Sequence, residues 1–206
     1  MSSADAISLD APVDGFGAAL APHAAEMIAV ARASIRRGLA SRTARPVSQA
    51  AYPAALGATM ASFVTLRIGD ALRGCIGTAF ACRPLVEDLS RNAFAAAFHD
   101  PRFPPLSAGE FAIARIEISV LSPPEPFPFD DEEELLAKLV SGRDGLILEY
   151  GARHGLFLPQ VWETLPDPAE FLRQLKRKAG LRDGPLKPGV RARRFIAAKF
   201  ADDAVA

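Results

Sequence analysis

The chain has 206 residues, half of them hydrophobic and 23% charged, a balance that supports a packed core and excludes a disordered or fibrous protein. Its 24 basic and 24 acidic residues cancel, which excludes a global field drawing the chain to nucleic acid or an anionic membrane. Cys75 and Cys82 alone make no secreted disulfide framework, no apolar run approaches the ~20 residues of a bilayer span, and no leader pattern precedes Asp10, so the expected setting is the cytoplasm with reduced thiols.

Residues 1–20, rich in Ala, Ser, Asp and Gly without periodicity, are expected to form a poorly ordered arm before one domain over 21–200, with a short tail at 201–206. Met27, Ala31, Ile35 and Leu39 recur at helical spacing, and Gly38 with the following Ser41–Pro46 stretch should end that helix. The alternation over Ser62–Ile68, the Gly69-Asp70 turn and the run Leu72–Gly77 predict a hairpin. Pro84 opens a helix whose apolar side is Leu85, Leu89, Ala93 and Ala96 and which stops near Asp100-Pro101.

Phe111–Leu121 alternates as a strand, with Ala112, Ala114, Ile116, Ile118 and Val120 on its buried face. Pro123, Pro124, Pro126 and Pro128 stiffen a connection suited to separating two lobes. Asp131–Glu134 load the positive end of the next helix, which Gly142 closes. Asp144-Gly145 leads into a second hairpin, Leu146–Tyr150 with Leu156–Leu158. Asp167-Pro168-Ala169-Glu170 is a capping sequence for a helix with Phe171, Leu172, Leu175 and Ala179 inward and Gly180 at its end, and Phe195–Phe200 is a candidate closing strand. Irregular alternation of strands and helices without a βαβ series gives an α+β class, with an antiparallel or mixed sheet flanked by helices.

Chemistry concentrates at Leu72-Arg73-Gly74-Cys75-Ile76-Gly77, where two glycines weaken a strand and require a reason. One reason is the approach of a ligand to the backbone, with Cys75 as thiol and Arg73 as the cation beside it. The other is a bulge or tight packing contact around an inert core cysteine. A catalytic thiol needs a base, for which His99 and His154 are the candidates. Asp100 and Arg102, in a proline-rich turn, orient a substrate or simply satisfy the turn. Lys178 binds an anion or complements a helix end, Gln160 lies on a loop near either role, and Trp162 is expected to pack.

No metal-ligand spacing, phosphate loop or dinucleotide fingerprint is present, so no metal and no cofactor are expected. The basic residues Arg173, Lys176, Arg177, Lys178, Lys187, Arg191, Arg193 and Arg194 lack interleaved aromatics, which ranks RNA binding last.

The hexapeptide 72–77, preceded by Phe63–Leu66 and followed in order by Asp100–Phe103, Ile118–Leu121, Gly155–Val161 and Lys178–Leu181, resembles the AMMECR-domain family over about residues 20–200. The resemblance implies an α+β fold with a larger and a smaller lobe and a cleft between them beside the signature. It singles out Arg73, Gly74, Cys75 and Gly77, and with less force Asp100, Arg102 and Lys178. Phe200–Asp203 stands where the family suggests a glutamate. The stand-alone, bacterial type, protein A of the AmmeMemoRadiSam system, accompanies a Memo-like protein and a radical-SAM protein, which makes those two the expected partners. Two functions follow: an enzyme or enzyme subunit acting on an unknown small molecule through Cys75, Arg73 and Asp100, with Gly74, Ile76, Gly77, Arg102, Gln160 and Lys178 binding; or a noncatalytic module that docks those partners.

Overall fold

The computed structural model describes residues 15–202. In chain order it contains α1 (Phe16–Leu20), α2 (Ala24–Ser41), α3 (Ala54–Gly57), β1 (Ala61–Ile68), β2 (Ala71–Gly77), α4 (Leu85–Phe98), α5 (Ala108–Ile113), β3 (Arg115–Leu121), β4 (Glu125–Pro126), α6 (Glu132–Lys138), β5 (Gly145–Tyr150), β6 (Arg153–Phe157), α7 (Pro168–Lys178), β7 (Arg191–Phe195) and β8 (Ala197–Ala201). The chain divides into two compact units, one running to Leu121 and resuming at Ala198, the other Ser122–Ala197. The class is α+β, as the alternation of strands and helices implies. Among the described residues no helix is long and apolar enough to cross a membrane.

In the first unit a four-stranded sheet runs β2-β1-β3-β8, with β1 antiparallel to both neighbours. Val64, Leu66, Ile116, Ile118 and Val120 line one face and are fully buried, as are Met27, Ala31 and Ile35 of α2 and Leu85, Leu89 and Ala93 of α4. Each Val, Leu, Ile or Met side chain among them contributes roughly 1.5–3 kcal/mol by leaving water, so this layer anchors the unit. The other face carries Phe63, Thr65, Cys75, Glu117 and Ser119, all half-buried.

Helices α2 and α4 meet closely. A Cβ on Gly38 would lie 2.3 Å from a Phe98 ring atom, and Ser34 Oγ donates to Ser90 O at 2.7 Å. Gly38 therefore does not end α2, as its residue type suggests. It sits inside the helix for packing, and the chain leaves the helix at Arg42, whose φ is 58°.

Phe111–Ile113 also departs from the expected strand. Ser107 accepts from Glu110 N, and the Glu110 carboxylate accepts from Ser107 N, a capping box that starts α5 and leaves only Arg115–Leu121 extended. The expected arm and tail fall largely outside the described residues. Within them, Phe16 and Leu20 of α1 are buried, while Asp202 pairs with Arg32 and accepts from Ile116 N at 2.8 Å.

The second unit has the sheet β4-β7-β5-β6 with α6 and α7. Its core includes Leu135, Leu146, Leu148, Phe171, Leu172 and Leu175. Trp162 stacks on Phe171 at 3.8 Å and donates its indole N–H to Asp144 O at 2.8 Å, so it packs as expected. The single strand expected over Phe195–Phe200 is two strands broken at Ile196, β7 in this sheet and β8 in the other.

Candidate functional site

Strand β2 is an edge strand, and edges expose unpaired backbone groups. At Cys75 both are taken. The Cys75 N–H donates to Asp100 Oδ2 at 2.8 Å, and Arg102 Nη2 donates to Cys75 O at 3.2 Å. Asp100 and Arg102 thus replace a neighbouring strand for one residue.

The pair is itself tightly joined. Arg102 Nε and Nη2 donate to the two Asp100 oxygens at 3.0 and 2.7 Å, and Arg102 N adds a third bond at 3.1 Å. Asp100 is buried, whereas the Arg102 side chain is 52% exposed. The Arg102 guanidinium, helped by the Cys75 and Arg102 backbone N–H groups, holds the Asp100 carboxyl well below the usual carboxylate range. Arg102 is pushed up in turn, chiefly by Asp100 and also by the nearby Cys75.

Because both backbone groups of Cys75 point away from β1, Thr65 and Cys75 form a non-hydrogen-bonded cross-strand pair, the kind whose side chains lie closer. Thr65 Oγ1 donates to Cys75 Sγ at 3.3 Å. This register depends on a bulge. Ile68 pairs with Ala71 and Arg67 with Leu72, then the ladder slips so that Leu66 meets Gly74 and Thr65 meets Cys75. Without the slip Cys75 would oppose Val64 on the helix-covered face.

The glycines have packing reasons. A Cβ on Gly74 would stand 2.2 Å from Ala96 O, and one on Gly77 would stand 2.2 Å from the Phe63 ring and 2.6 Å from Ser62 O. Space at these positions is filled by α4 and by Phe63, so close internal contact, rather than a ligand, explains both. Ile76 opposes Val64 and lies on the helix-covered face, away from the Cys75 side chain.

Arg73, expected as the cation beside the thiol, is bonded elsewhere. Its Nε and Nη2 donate to Glu110 at 2.7 and 3.2 Å, Nη2 also reaches Pro104 O at 2.8 Å, and Nη1 is buried without a hydrogen-bond partner. Arg73, with help from Ser107, lowers the Glu110 carboxyl to about 2. Arg102 occupies the place by Cys75 instead. Both guanidiniums also lie within 6 Å of the Phe103 ring centre, at 5.7 and 5.6 Å.

The two candidate bases lie in different units. His99 closes α4 with its ring edge-on to Phe94 at 4.9 Å, and His154 lies on β6 opposite Glu149. Gln160 and Lys178 belong to the second unit. Gln160 is half-buried in the 3-10 turn Pro159–Glu163, and Lys178 Nζ donates to Leu156 O at 2.9 Å over the Phe157 ring. Among the described residues no group of three or more His, Cys, Asp or Glu is placed to hold a metal ion.

Thr65 and Glu110 are contributors that sequence reading misses, and Asp88 is a third. Fully buried on α4, Asp88 accepts from Ser62 N, Ser62 Oγ, Thr78 Oγ1, Asn92 Nδ2 and Arg83 Nη1 at 2.6–3.0 Å. It ties the start of β1 and the segment after β2 to the helix. The basic run is dispersed: Arg173, Lys176, Arg177, Arg191 and Arg194 pair with Glu170, Glu132, Asp183, Glu149 and Glu125 respectively.

The family model described as AMMECR1 matches residues 28–200. A protein of Thermofilum pendens is 47% identical over 137 residues, covering 64% of this chain and 62% of that protein. Protein MJ0810 of Methanocaldococcus jannaschii is 43% identical over 155 residues, covering 73% and 77%. The chain thus spans less than two thirds of the Thermofilum relative. The crystal structure of uncharacterized protein PH0010 from Pyrococcus horikoshii superposes with a TM-score of 0.72 at 35% identity, covering 89% of this chain and 93% of that one.

Proposed function

This chain belongs to the AMMECR1 family, and from that premise we propose that it is an enzyme, or the thiol-bearing subunit of one, with Cys75 as its reactive group. One observation carries the reading: the Cys75 sulfur receives the Thr65 hydroxyl while Arg102, fixed by Asp100, lies beside it with half its side chain open to solvent. As the Cys75 sulfur bonds to an electrophilic carbon, the thiol proton passes to solvent and the carbon's leaving group departs, with the Thr65 hydroxyl and the Arg102 guanidinium placed beside the reacting atoms. Arg102 would also receive an anionic group of the substrate or leaving group. Asp100 is a positioning residue in this scheme, since its carboxylate is fully engaged.

The test is the rate of iodoacetamide alkylation at neutral pH, resolved by peptide mass spectrometry. Cys82 is exposed and serves as the internal reference. Cys75 should react faster than Cys82 despite being less open, and both Arg102→Gln and Thr65→Val should slow it without slowing Cys82. A Cys75 that reacts more slowly than Cys82 in the native protein would defeat the proposal.

A second reading, a docking module for a Memo-like or radical-SAM partner of the AmmeMemoRadiSam type, draws support from a different place. Pro126, Phe127, Pro128 and Phe129 line an apolar hollow of about 490 Å³ rimmed by Arg191 and Arg193. Light scattering of the purified proteins mixed at micromolar concentration decides it, with Phe129→Ser abolishing any complex.

A further inference from the structure

We propose that the second unit binds a small phosphate monoester with an apolar or aromatic body, in the cavity between α7, the end of β5 and the 181–190 loop. The cavity measures about 340 Å³ and is lined by Tyr150, Arg153, Leu181, Arg182, Lys187 and Val190 among others. That volume suits a small ligand.

Its charge is one-sided once internal pairs are removed. Asp183 at the rim is matched by Arg177 at 3.2 Å, and Lys176 is matched by Glu132 at 2.8 and 2.9 Å. Arg153 gives one N–H to Gly180 O at 2.9 Å, and among the described residues no carboxylate pairs with Arg153, Arg182 or Lys187. Three cations without counter-ions facing one hollow suit a dianion better than a single carboxylate. A phosphate monoester carries roughly −1.5 to −2 at pH 7 and presents three acceptor oxygens to arginine forks. Tyr150, Leu181 and Val190 offer the remaining wall an apolar surface.

The wall is also held in shape by a buried ion pair. Lys176 is 5% exposed, and burying an ammonium is unfavourable unless every donor is used. Its third bond goes to Gly184 O at 2.8 Å, while its partner Glu132 accepts from Leu186 N at 3.0 Å. The buried pair therefore clamps both sides of the loop that carries Lys187, leaving Arg153, Arg182 and Lys187 to meet the ligand.

Phenyl phosphate is the probe, titrated into the full chain and followed by calorimetry, with inorganic phosphate and benzoate as comparison ligands. Phenyl phosphate should bind saturably and about tenfold or more tightly than either, because inorganic phosphate has no body for the apolar wall and benzoate offers the cations only a single negative charge. The double change Arg182→Gln with Lys187→Gln should weaken it about tenfold or more. Arg36→Gln, at an exposed cation on α2, should leave it unchanged. Circular dichroism verifies that these surface variants fold. No saturable binding to the unchanged chain, or equal binding by the double variant, overturns the proposal. Since Cys75 is not involved, the outcome is independent of its reactivity.

Discussion

Each unit contains an acid–base pair that fixes a backbone segment, and the two are mirror images in exposure. In the first unit the acid is buried and the cation is half open: Asp100 holds Arg102 against the β2 edge, and the Arg102 side chain is 52% exposed. In the second the cation is buried and the acid more open, with Lys176 at 6% and Glu132 at 28% side-chain exposure. Both members of each pair clamp backbone groups, and only an exposed member keeps capacity for something new. Arg102 therefore doubles as clamp and ligand-facing group, whereas Lys176 leaves binding to its neighbours.

The sharpest way to break this symmetry is to remove the partner of the buried charge. Glu132→Ala strands the Lys176 ammonium and should destabilise the protein by about 4 kcal/mol, since a buried pair broken from one side loses roughly 3–5 kcal/mol. Glu132→Gln, which retains an acceptor, should lose less. Urea denaturation midpoints at neutral pH measure both. A loss below that of an average surface change would mean the ammonium escapes to water. Asp100→Ala removes the acid from the other pair. The cation there is already half hydrated, so the expected loss is smaller, about 2–3 kcal/mol, arising mainly from charged hydrogen bonds and the orphaned Cys75 N–H.

Gly74→Ala distinguishes the packing explanation of the signature glycines from a ligand explanation. The added methyl meets a helix carbonyl oxygen rather than a movable side chain, so overpacking should cost about 1–3 kcal/mol in the protein without any ligand. A Gly74→Ala protein as stable as the parent would return that glycine to a binding role.

The units also differ in how much of them the sequence discloses. Helices α2, α4, α6 and α7 and both hairpins are legible because each has a strong period and a local stop or start signal. Gly38 misleads because its residue type signals an end, while its actual role depends on Phe94 and Phe98 more than fifty positions away. Phe111–Ile113 continues the alternation of β3, yet four residues of capping chemistry override it. In the candidate site, the segment 72–77 and Asp100–Arg102 stand out by composition, but the partner of the thiol does not. Thr65 faces Cys75 only because of one slipped residue in the hairpin, and no periodicity announces a bulge. For the same reason Arg73 looks like the thiol's cation in sequence, while Arg102 takes that place in the fold.

The smallest expected effect separates Arg73 from Arg102 by pH. Glu110, held by Arg73, has its carboxyl lowered from 4.5 to about 2. A carboxyl with a depressed folded value stabilises the protein above its unfolded value and loses that contribution as pH falls toward the folded one. The Arg73–Glu110 contribution should therefore be complete above about pH 5 and fade between about 4.5 and 2. Asp100 shares the sign, since Arg102 holds it below its ordinary 3.8, so its loss continues to lower pH. Glu110→Gln should remove the upper part of the acid limb in a plot of stability against pH and leave the lower part. Solvent screens Glu110, whose side chain is 35% exposed, so the change should be a shallower slope rather than a lost transition. If Glu110→Gln leaves the whole limb intact, Arg73 is not held by that carboxylate in solution.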